Sequence, residues 1–274
     1  MPLYQVIVLG VVQGLTEFLP ISSTAHLWLI PWLFHWNDPG LTFDVALHVG
    51  TLLAVLIYFF RTWVDLLLLG CGVKKQIAGV AYRPALFWFL VLATVPAGLV
   101  GWFFQEQAET SWRQPNIIAG SFILVALLMA WAEKVGHGKK DVAHVGFVDS
   151  LWVGAAQALA PIPGVSRAGI TMTAALFRNM NRSAAARFSF LLSTPIIAGA
   201  ALKAGMDLAH GGIAPGMVMP FVVGVLVSGI VGYATISFFL KFLQFGTFKI
   251  FIYYRIILGI IVLALAFFLG PEAA

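Results

Sequence analysis

Residues 10–26 read GVVQGLTEFLPISSTAH, and the fold turns on how this stretch is interpreted. It opens as an apolar helix, acquires Gln13 and Glu17, breaks at Pro20, and continues through Ser22, Ser23, Thr24 and His26. It is too polar to face lipid and too apolar for a solvated loop. The same design returns at residues 154–171 as GAAQALAPIPGVSRAGIT. Gln157 follows Gln13, and Ser166 follows Ser22, by the same 144 positions (157 minus 13, 166 minus 22). The chain reads as two halves, each presenting one broken helix to a shared site.

Composition sets the solvent. Of 274 residues, 61% are hydrophobic and 10% charged, where a soluble domain carries about 25% charged residues. The chain is therefore expected to be an all-α polytopic membrane protein forming a single membrane domain over residues 1–274. The net charge of +5 is read through loop positions and not as a nucleic-acid signal. The single cysteine, Cys71, excludes an internal disulfide. The N-terminus lacks a basic leader, and its apolar run contains Gln13 and Glu17, so it reads as part of the fold and not as a cleaved signal.

A spanning helix needs about 20 apolar residues. Residues 3–12 and 27–36 are each too short; joined through Pro20 they make a hairpin that enters and leaves on one side. Irregular backbone at membrane depth is tolerated only inside protein or beside a watery cavity. Three spans follow at 43–60, 85–104 (with Pro96 as a bend) and 116–132, with loops at 61–84 and 105–115. The second half, from about residue 141, repeats the plan: short arms 151–159 and 168–177 around Pro161, Pro163 and Gly164, then spans at 188–208, 216–240 and 250–269, the first kinked at Pro195. Repeat one covers about 1–140 and repeat two about 141–274. An odd number of spans per half makes the repeats inverted, so the two re-entrant hairpins enter from opposite faces and their tips meet. Basic residues agree with this layout. One side holds Arg61, Lys74, Lys75, Arg83, Lys134, Lys139, Lys140, Arg178, Arg182, Arg187, Lys241 and Lys249, and the other only Arg113 and Lys203. The first group is assigned to the cytoplasm, which puts both termini and the first hairpin's entrance outside. Arg167 and Arg255 fall within apolar segments.

Ten of the eleven acidic residues sit in loops or near span ends; Glu17 is the exception, with Arg167 as its matching cation at the other tip. Ionisable groups at depth are functional candidates by default, the plain alternative being a structural ion pair. Gln13 and Glu17 share a helix face and offer ligands for a divalent cation, or Glu17 a general base. The bland role for Gln13 is an amide bond between the hairpins, to Gln157. Ser22, Ser23 and Thr24 open a new helix, as Ser166 does in the second half. N-capping accounts for one hydroxyl, not three. Two helix N-termini aimed at one place bind anions, and the Arg167 guanidinium suits phosphate oxygens. His26 lies one turn after Ser23 and is placed to move a proton. Asp44 and His48, four residues apart, are candidates for supporting positions around the cluster, as is Gln157; a first-turn acid and a partly wet histidine are the plain readings.

The segments GVVQGLTEFLPISSTAH and PGVSRAGIT resemble the two signature motifs of the bacterial undecaprenyl-pyrophosphate phosphatases of the bacitracin-resistance type. The resemblance extends over the chain, including the run from Phe188 to Leu192. It implies an integral membrane hydrolase that removes the terminal phosphate of undecaprenyl pyrophosphate, recycling the lipid carrier of cell-wall (peptidoglycan) synthesis. It also implies a divalent cation, Mg²⁺ or Ca²⁺, and an outward-facing site in the bacterial inner membrane. By the same resemblance the nucleophilic hydroxyl falls on Ser23, the family histidine on His26, the acidic motif on Gln13 and Glu17, and the second motif on Ser166, Arg167 and Thr171. Ser22, Thr24, Ser166, Arg167 and Thr171 become phosphate-binding candidates. Two positions depart from the pattern: Ala168 stands where a serine is usual, and Gln13 where a carboxylate is frequent. Expected partners are the polyprenyl pyrophosphate, membrane lipids and a second copy in a homodimer.

Attack by Ser23 and attack by a metal-bound water both fit the sequence. If Ser22 caps the new helix, Ser23 faces the site, with His26 to accept its proton. The rival class is a transporter or flippase of a lipid phosphate or small anion, since inverted repeats with broken helices characterise transporters; a purely structural scaffold leaves Glu17 and Arg167 unexplained. Topology is directly testable. In a chain without Cys71, a cysteine in place of Lys74 is expected to resist an impermeant thiol reagent in intact cells; labelling from outside would reverse the orientation.

Overall fold

The structure, a computed structural model, describes residues 1–73, 82–211 and 216–269. Helices α1 (Leu3–Thr16) and α2 (Ser23–Phe34) form the first hairpin. Helix α3 (Leu41–Tyr58) is followed by α4 (Phe60–Gly70), α5 (Leu86–Phe103), the short α6 (Gln105–Glu109) and α7 (Pro115–Val135). Helices α8 (Phe147–Gln157) and α9 (Arg167–Phe177) form the second hairpin, followed by α10 (Arg182–Gly211), α11 (Val218–Phe242) and α12 (Lys249–Leu269). Among the described residues five helices, α5, α7, α10, α11 and α12, are long and apolar enough to cross a membrane, and α3 with α4 makes a sixth candidate, bent by 74°. The chain is an all-α, multi-pass membrane protein.

The hairpin arms are short for a physical reason. At 1.5 Å per residue α1 reaches about 21 Å, against a hydrocarbon core of about 30 Å. Both hairpins are also closed at their open ends. The Tyr4 ring meets Trp36 edge-on at 5.7 Å, tying the start of α1 to the end of α2. In the second hairpin Asp149, in the first turn of α8, takes Arg178 Nε at 2.8 Å, just beyond α9, and Lys140 Nζ at 2.8 Å. Burial favours the neutral acid, but these cations and the Gly146 N–H hold the Asp149 carboxyl below the ordinary aspartate range.

The halves exchange partners. Helix α1 packs on α11 and α8 on α5; α3 meets α10 and α11, and α7 meets α12. Among the described residues the non-glycine positions with positive φ are Ser22 (73°), His35 (52°), Ser166 (68°) and Asn179 (62°). Ser22 and Ser166 open α2 and α9, His35 and Asn179 follow their ends, and each pair is again 144 residues apart (166 minus 22, 179 minus 35). Behind the first tip, the buried Phe18 stands edge-on to Phe190 of α10 at 5.3 Å, which is in turn packed near Phe59 and Phe239.

Three expectations need correction. Residues 61–84 are not all loop: α4 continues to Gly70, and its buried positions Thr62, Asp65, Leu66 and Leu69 lie at helical spacing. Arg61 and Asp65 masked that amphipathic face, because charges near a span end look like loop. Lys74 and Lys75 lie outside the described residues. The 105–115 segment contains α6. Nor is Glu17 the only sequestered acid, since Asp44, Asp65 and Asp149 are buried too. Helices α5 and α10 run through Pro96 and Pro195 as single elements.

Glycine makes the exchanged contacts close. A Cβ on Gly14 would lie 2.7 Å from Val231 Cβ and 2.8 Å from Gly232 N on α11; one on Gly154 would lie 2.6 Å from Ala93 O and 2.7 Å from Ala93 Cα on α5. Gly14→Ala and Gly154→Ala are each expected to destabilise by about 1–3 kcal/mol through overpacking. Gly120→Ala, where a Cβ meets nothing within 4 Å, is expected to be neutral or stabilising, as alanine is the better helix former. Thermal melts in detergent check all three.

Candidate active site

The two tips meet through Glu17. This residue follows α1, is nearly inaccessible, and sits where the helix gives way to the turn before α2. Its Oε1 accepts from Arg167 Nη2 at 2.7 Å, the first residue of α9. Its Oε2 accepts from Ser23 Oγ at 2.6 Å and from Gln13 Nε2 at 3.2 Å, and lies 3.4 Å from His48 Nε2 of α3. One carboxylate thus gathers groups from both tips and from α3. Gln13 Nε2 also reaches Thr51 Oγ1 at 3.5 Å. Gln13 and Glu17 share the inner face of α1, as their spacing predicts.

Ser23 and Arg167 are the first residues of α2 and α9, so both helix N-termini open at the tips. Each is preceded by a serine at positive φ, a conformation that costs a non-glycine residue about 1–3 kcal/mol and persists only where the surroundings impose it. Only one of these serines caps its helix. Ser166 Oγ accepts the Gly169 N–H at 3.0 Å. Ser22 makes no side-chain cap; its Oγ lies 3.3 Å from Thr24 Oγ1. The expectation that Ser22 caps α2 is therefore corrected: its side chain leaves the first N–H groups of α2 uncovered, and that end keeps its capacity for an anion.

His26 is placed otherwise than its spacing from Ser23 suggests. Its Nδ1 is 2.6 Å from the Ser22 carbonyl and its Nε2 2.6 Å from Tyr254 Oη of α12. A carbonyl only accepts, so Nδ1 carries the hydrogen and Nε2 of the neutral ring accepts from Tyr254. Both nitrogens are engaged, and the Ser23 proton faces Glu17 instead. His48 behaves in the opposite way. Expected as a supporting position, it touches Glu17 directly, and its Nδ1 donates to the Asp44 carbonyl at 2.7 Å. Asp44 itself lies 3.6 Å from Arg113.

Two candidates bond away from this cluster. Thr171 Oγ1 pairs with the Arg167 carbonyl and with Ser189 Oγ, both at 2.7 Å, and so ties α9 to α10. Gln157 Nε2 reaches the Ala93 carbonyl at 3.5 Å on α5, so the Gln13–Gln157 tie is replaced by two separate anchors. Ala168 is buried, and its methyl group supplies no hydrogen bond. Thr24 is exposed beside the tip. Sequence reasoning missed Thr51 and Tyr254; neutral polar residues on spanning helices give no local signal of a distant partner.

Of the five N–H donors of a guanidinium, Arg167 uses Nη2 for Glu17 and Nη1 for the Ser189 carbonyl at 3.3 Å. Among the described residues these are its side-chain hydrogen bonds, and its other donors suit an anion. Gln13 donates through Nε2 to Glu17, and its Oε1 is buried without a hydrogen-bond partner among the described residues. Hard divalent cations take such oxygens, so this pair fits one; no group of three His, Cys, Asp or Glu that could hold a metal is present among the described residues.

Comparison with known proteins shows the family. Residues 6–261 match the family described as bacitracin resistance protein BacA. A relative from Moorella thermoacetica, named undecaprenyl-diphosphatase, is 48% identical over 264 residues, 96% of this chain and 98% of the relative. Relatives of the same name from Pelotomaculum thermopropionicum and Desulforudis audaxviator are 45% and 46% identical, each over 97% of this chain and over 97% and 99% of their own length.

The ion pair between the tips has a testable energetic signature. Arg167→Met leaves a buried carboxylate without its cation and is expected to cost about 3–5 kcal/mol. Adding Glu17→Gln removes the orphaned charge, and the double variant is expected to recover part of that loss. Melts of the two singles and the double measure the coupling; additive losses would mean the pair is not felt by the fold.

Proposed function

The chain belongs to the bacitracin resistance protein BacA family, and on that premise we propose that it is a membrane undecaprenyl-diphosphatase whose reacting groups are Ser23, Glu17 and Arg167. It hydrolyses undecaprenyl pyrophosphate to undecaprenyl phosphate and phosphate, so recycling the lipid carrier. The observation that carries the residue assignment is the 2.6 Å hydrogen bond from Ser23 Oγ to Glu17 Oε2, with Arg167 on the other carboxylate oxygen. A serine is a weak nucleophile until a base takes its proton, and Glu17 is already in place to do so.

The terminal phosphate lies between the tips. The uncapped start of α2 and the free Arg167 donors hold its oxygens, with Ser22, Thr24 and Ser166 at the rim. Ser23 attacks phosphorus as its proton passes to Glu17; the bond to the bridging oxygen breaks and undecaprenyl phosphate departs. The proton on Glu17 passes to the departing bridging oxygen, which restores the carboxylate. Glu17 then takes a proton from water as that water attacks the phosphoserine, the Ser23 Oγ–phosphorus bond breaks, and the proton returns to Ser23 Oγ as phosphate leaves. Charge builds on the phosphoryl oxygens throughout, and donors fixed in advance stabilise it without reorganising. His26, held by Tyr254 and the Ser22 carbonyl, keeps the tip backbone in place. A divalent cation, Mg²⁺ or Ca²⁺, held by Gln13 Oε1 and Glu17, would neutralise part of the pyrophosphate charge.

The exchanged packing of α1 on α11 and α8 on α5, with the paired positive-φ residues, supports two inverted repeats covering about 1–140 and 141–274. With the asymmetry of basic loops, this reading puts the protein in the bacterial inner membrane, both termini and the site facing outward, and the prenyl tail among the spans. A homodimer remains part of the proposal.

Purified protein in detergent is expected to release phosphate from undecaprenyl pyrophosphate. Ser23→Ala should abolish turnover by orders of magnitude, and Glu17→Gln should lower kcat about 10²–10⁴-fold for a lost base. Arg167→Lys should lose most activity while still folded, since a point charge does not grip two oxygens. Ser22→Ala should be mild by comparison. Lack of release by the wild type, with movement of a lipid phosphate across vesicles, would favour the flippase reading. Substantial release by Ser23→Ala would favour a directly attacking water.

A further inference from the structure

Helix α12 carries an arginine in its second turn, in a segment otherwise apolar enough to span. The Arg255 side chain is wholly buried. Its hydrogen-bond partners among the described residues are backbone carbonyls. Nη1 donates to Pro20 O at 3.0 Å. Nη2 lies near three: Gly164 O at 2.8 Å, Val165 O at 3.2 Å and Ser121 O at 3.2 Å. Nε donates to Phe122 O at 3.2 Å. The guanidinium also lies 5.2 Å from the centre of the Phe122 ring.

These carbonyls come from three places: the first tip, the second tip and α7. Pro20 is two residues before Ser22, and Gly164 and Val165 immediately precede Ser166. The bonds therefore end on the backbone that sets the strained starts of α2 and α9. A cation sunk this deep without a carboxylate counter-charge among its recorded partners is a poor device for general packing, since a hydrophobic side chain would fill the space at less desolvation cost. What the guanidinium uniquely supplies is a planar fork of five donors, enough to bridge chain segments that share no helix. The neighbouring Tyr254 adds its hydroxyl to His26 on the first tip.

We propose that Arg255 is a positioning residue that staples the two hairpin tips in the register at which Ser23, Glu17 and Arg167 meet. The proposal rests on the reading of the tips as the phosphate site. Arg255 acts through the tip backbone. Its loss leaves every reacting side chain present but lets the two N-termini drift relative to one another. Misplacement by about 1 Å is enough to cost about 10²-fold in rate, with little change in the affinity for a substrate held by its tail and charge.

The test combines kinetics with hydrogen exchange on the full chain in detergent, for wild type, Arg255→Lys and Arg255→Gln. In the folded fraction of either variant, kcat for phosphate release from undecaprenyl pyrophosphate is expected to fall about 10²-fold, with KM within about threefold of wild type. Amides of peptides covering both tips, 17–23 and 161–167, are expected to exchange at least about tenfold faster, while those of α3 and α11, outside the segments whose carbonyls Arg255 bonds, stay unchanged. Wild-type kcat in a folded lysine variant, or unchanged tip protection, would overturn the proposal. Should neither variant fold, the wild type decides: stapled tips open as one cooperative unit, with the same denaturant dependence, whereas independent opening contradicts the staple. If the wild type releases no phosphate, the proposed function fails, while the exchange measurement still decides whether Arg255 couples the tips.

Discussion

Everything at the centre of this protein depends on one buried contact, the 2.7 Å bond between Glu17 and Arg167. The two residues stand 150 positions apart, each at the tip of a hairpin too short to cross the membrane. A lone charge at that depth is costly, and each removes the other's penalty only if the tips touch. The surrounding spans can be understood as the housing this contact requires. Phe18, next to Glu17 in the chain, packs on Phe190 of α10, which lies near Phe59 just after α3, and α1 and α8 approach α11 and α5 through glycine, letting the hairpins lie deep enough to meet.

The same pair suits a phosphate site. With substrate absent, Arg167 is neutralised by Glu17, and Glu17 is held by four neighbours. An incoming pyrophosphate brings its own negative charge and finds unused Arg167 donors and the open N-terminus of α2. The guanidinium then serves two anions, while Glu17 keeps its bond to Ser23. The charge that stabilises the empty site and the charge that binds substrate belong to the same residue.

Much of this was legible in the sequence, and for definite reasons. Six spans and two broken helices follow from the length of apolar runs and from prolines that no continuous helix in lipid tolerates without neighbours. The meeting of Glu17 and Arg167 follows from the cost of burying either alone. What escaped was orientation. A three-residue spacing put His26 beside Ser23, yet the histidine turns to Tyr254, a residue 228 positions away. Ser22 has the identity of a cap but not the bond: its hydroxyl turns to Thr24, whereas Ser166, at a similar positive φ, does cap its helix. Thr171 matches the motif but is drawn into the α9–α10 contact by Ser189. Helix α4 was hidden by Arg61 and Asp65: charges near a span end look solvated, yet Asp65 lies on the buried face with Thr62, Leu66 and Leu69.

The stereochemical course at the terminal phosphorus tests the account most directly. A substrate made chiral there by sulfur and oxygen isotopes, turned over in isotopically labelled water, reports how many displacements occur. Attack by Ser23 followed by water inverts the centre twice, so the account predicts net retention of configuration. Net inversion would mean a single displacement by water, and would contradict the assignment of Ser23 as the group that Glu17 activates.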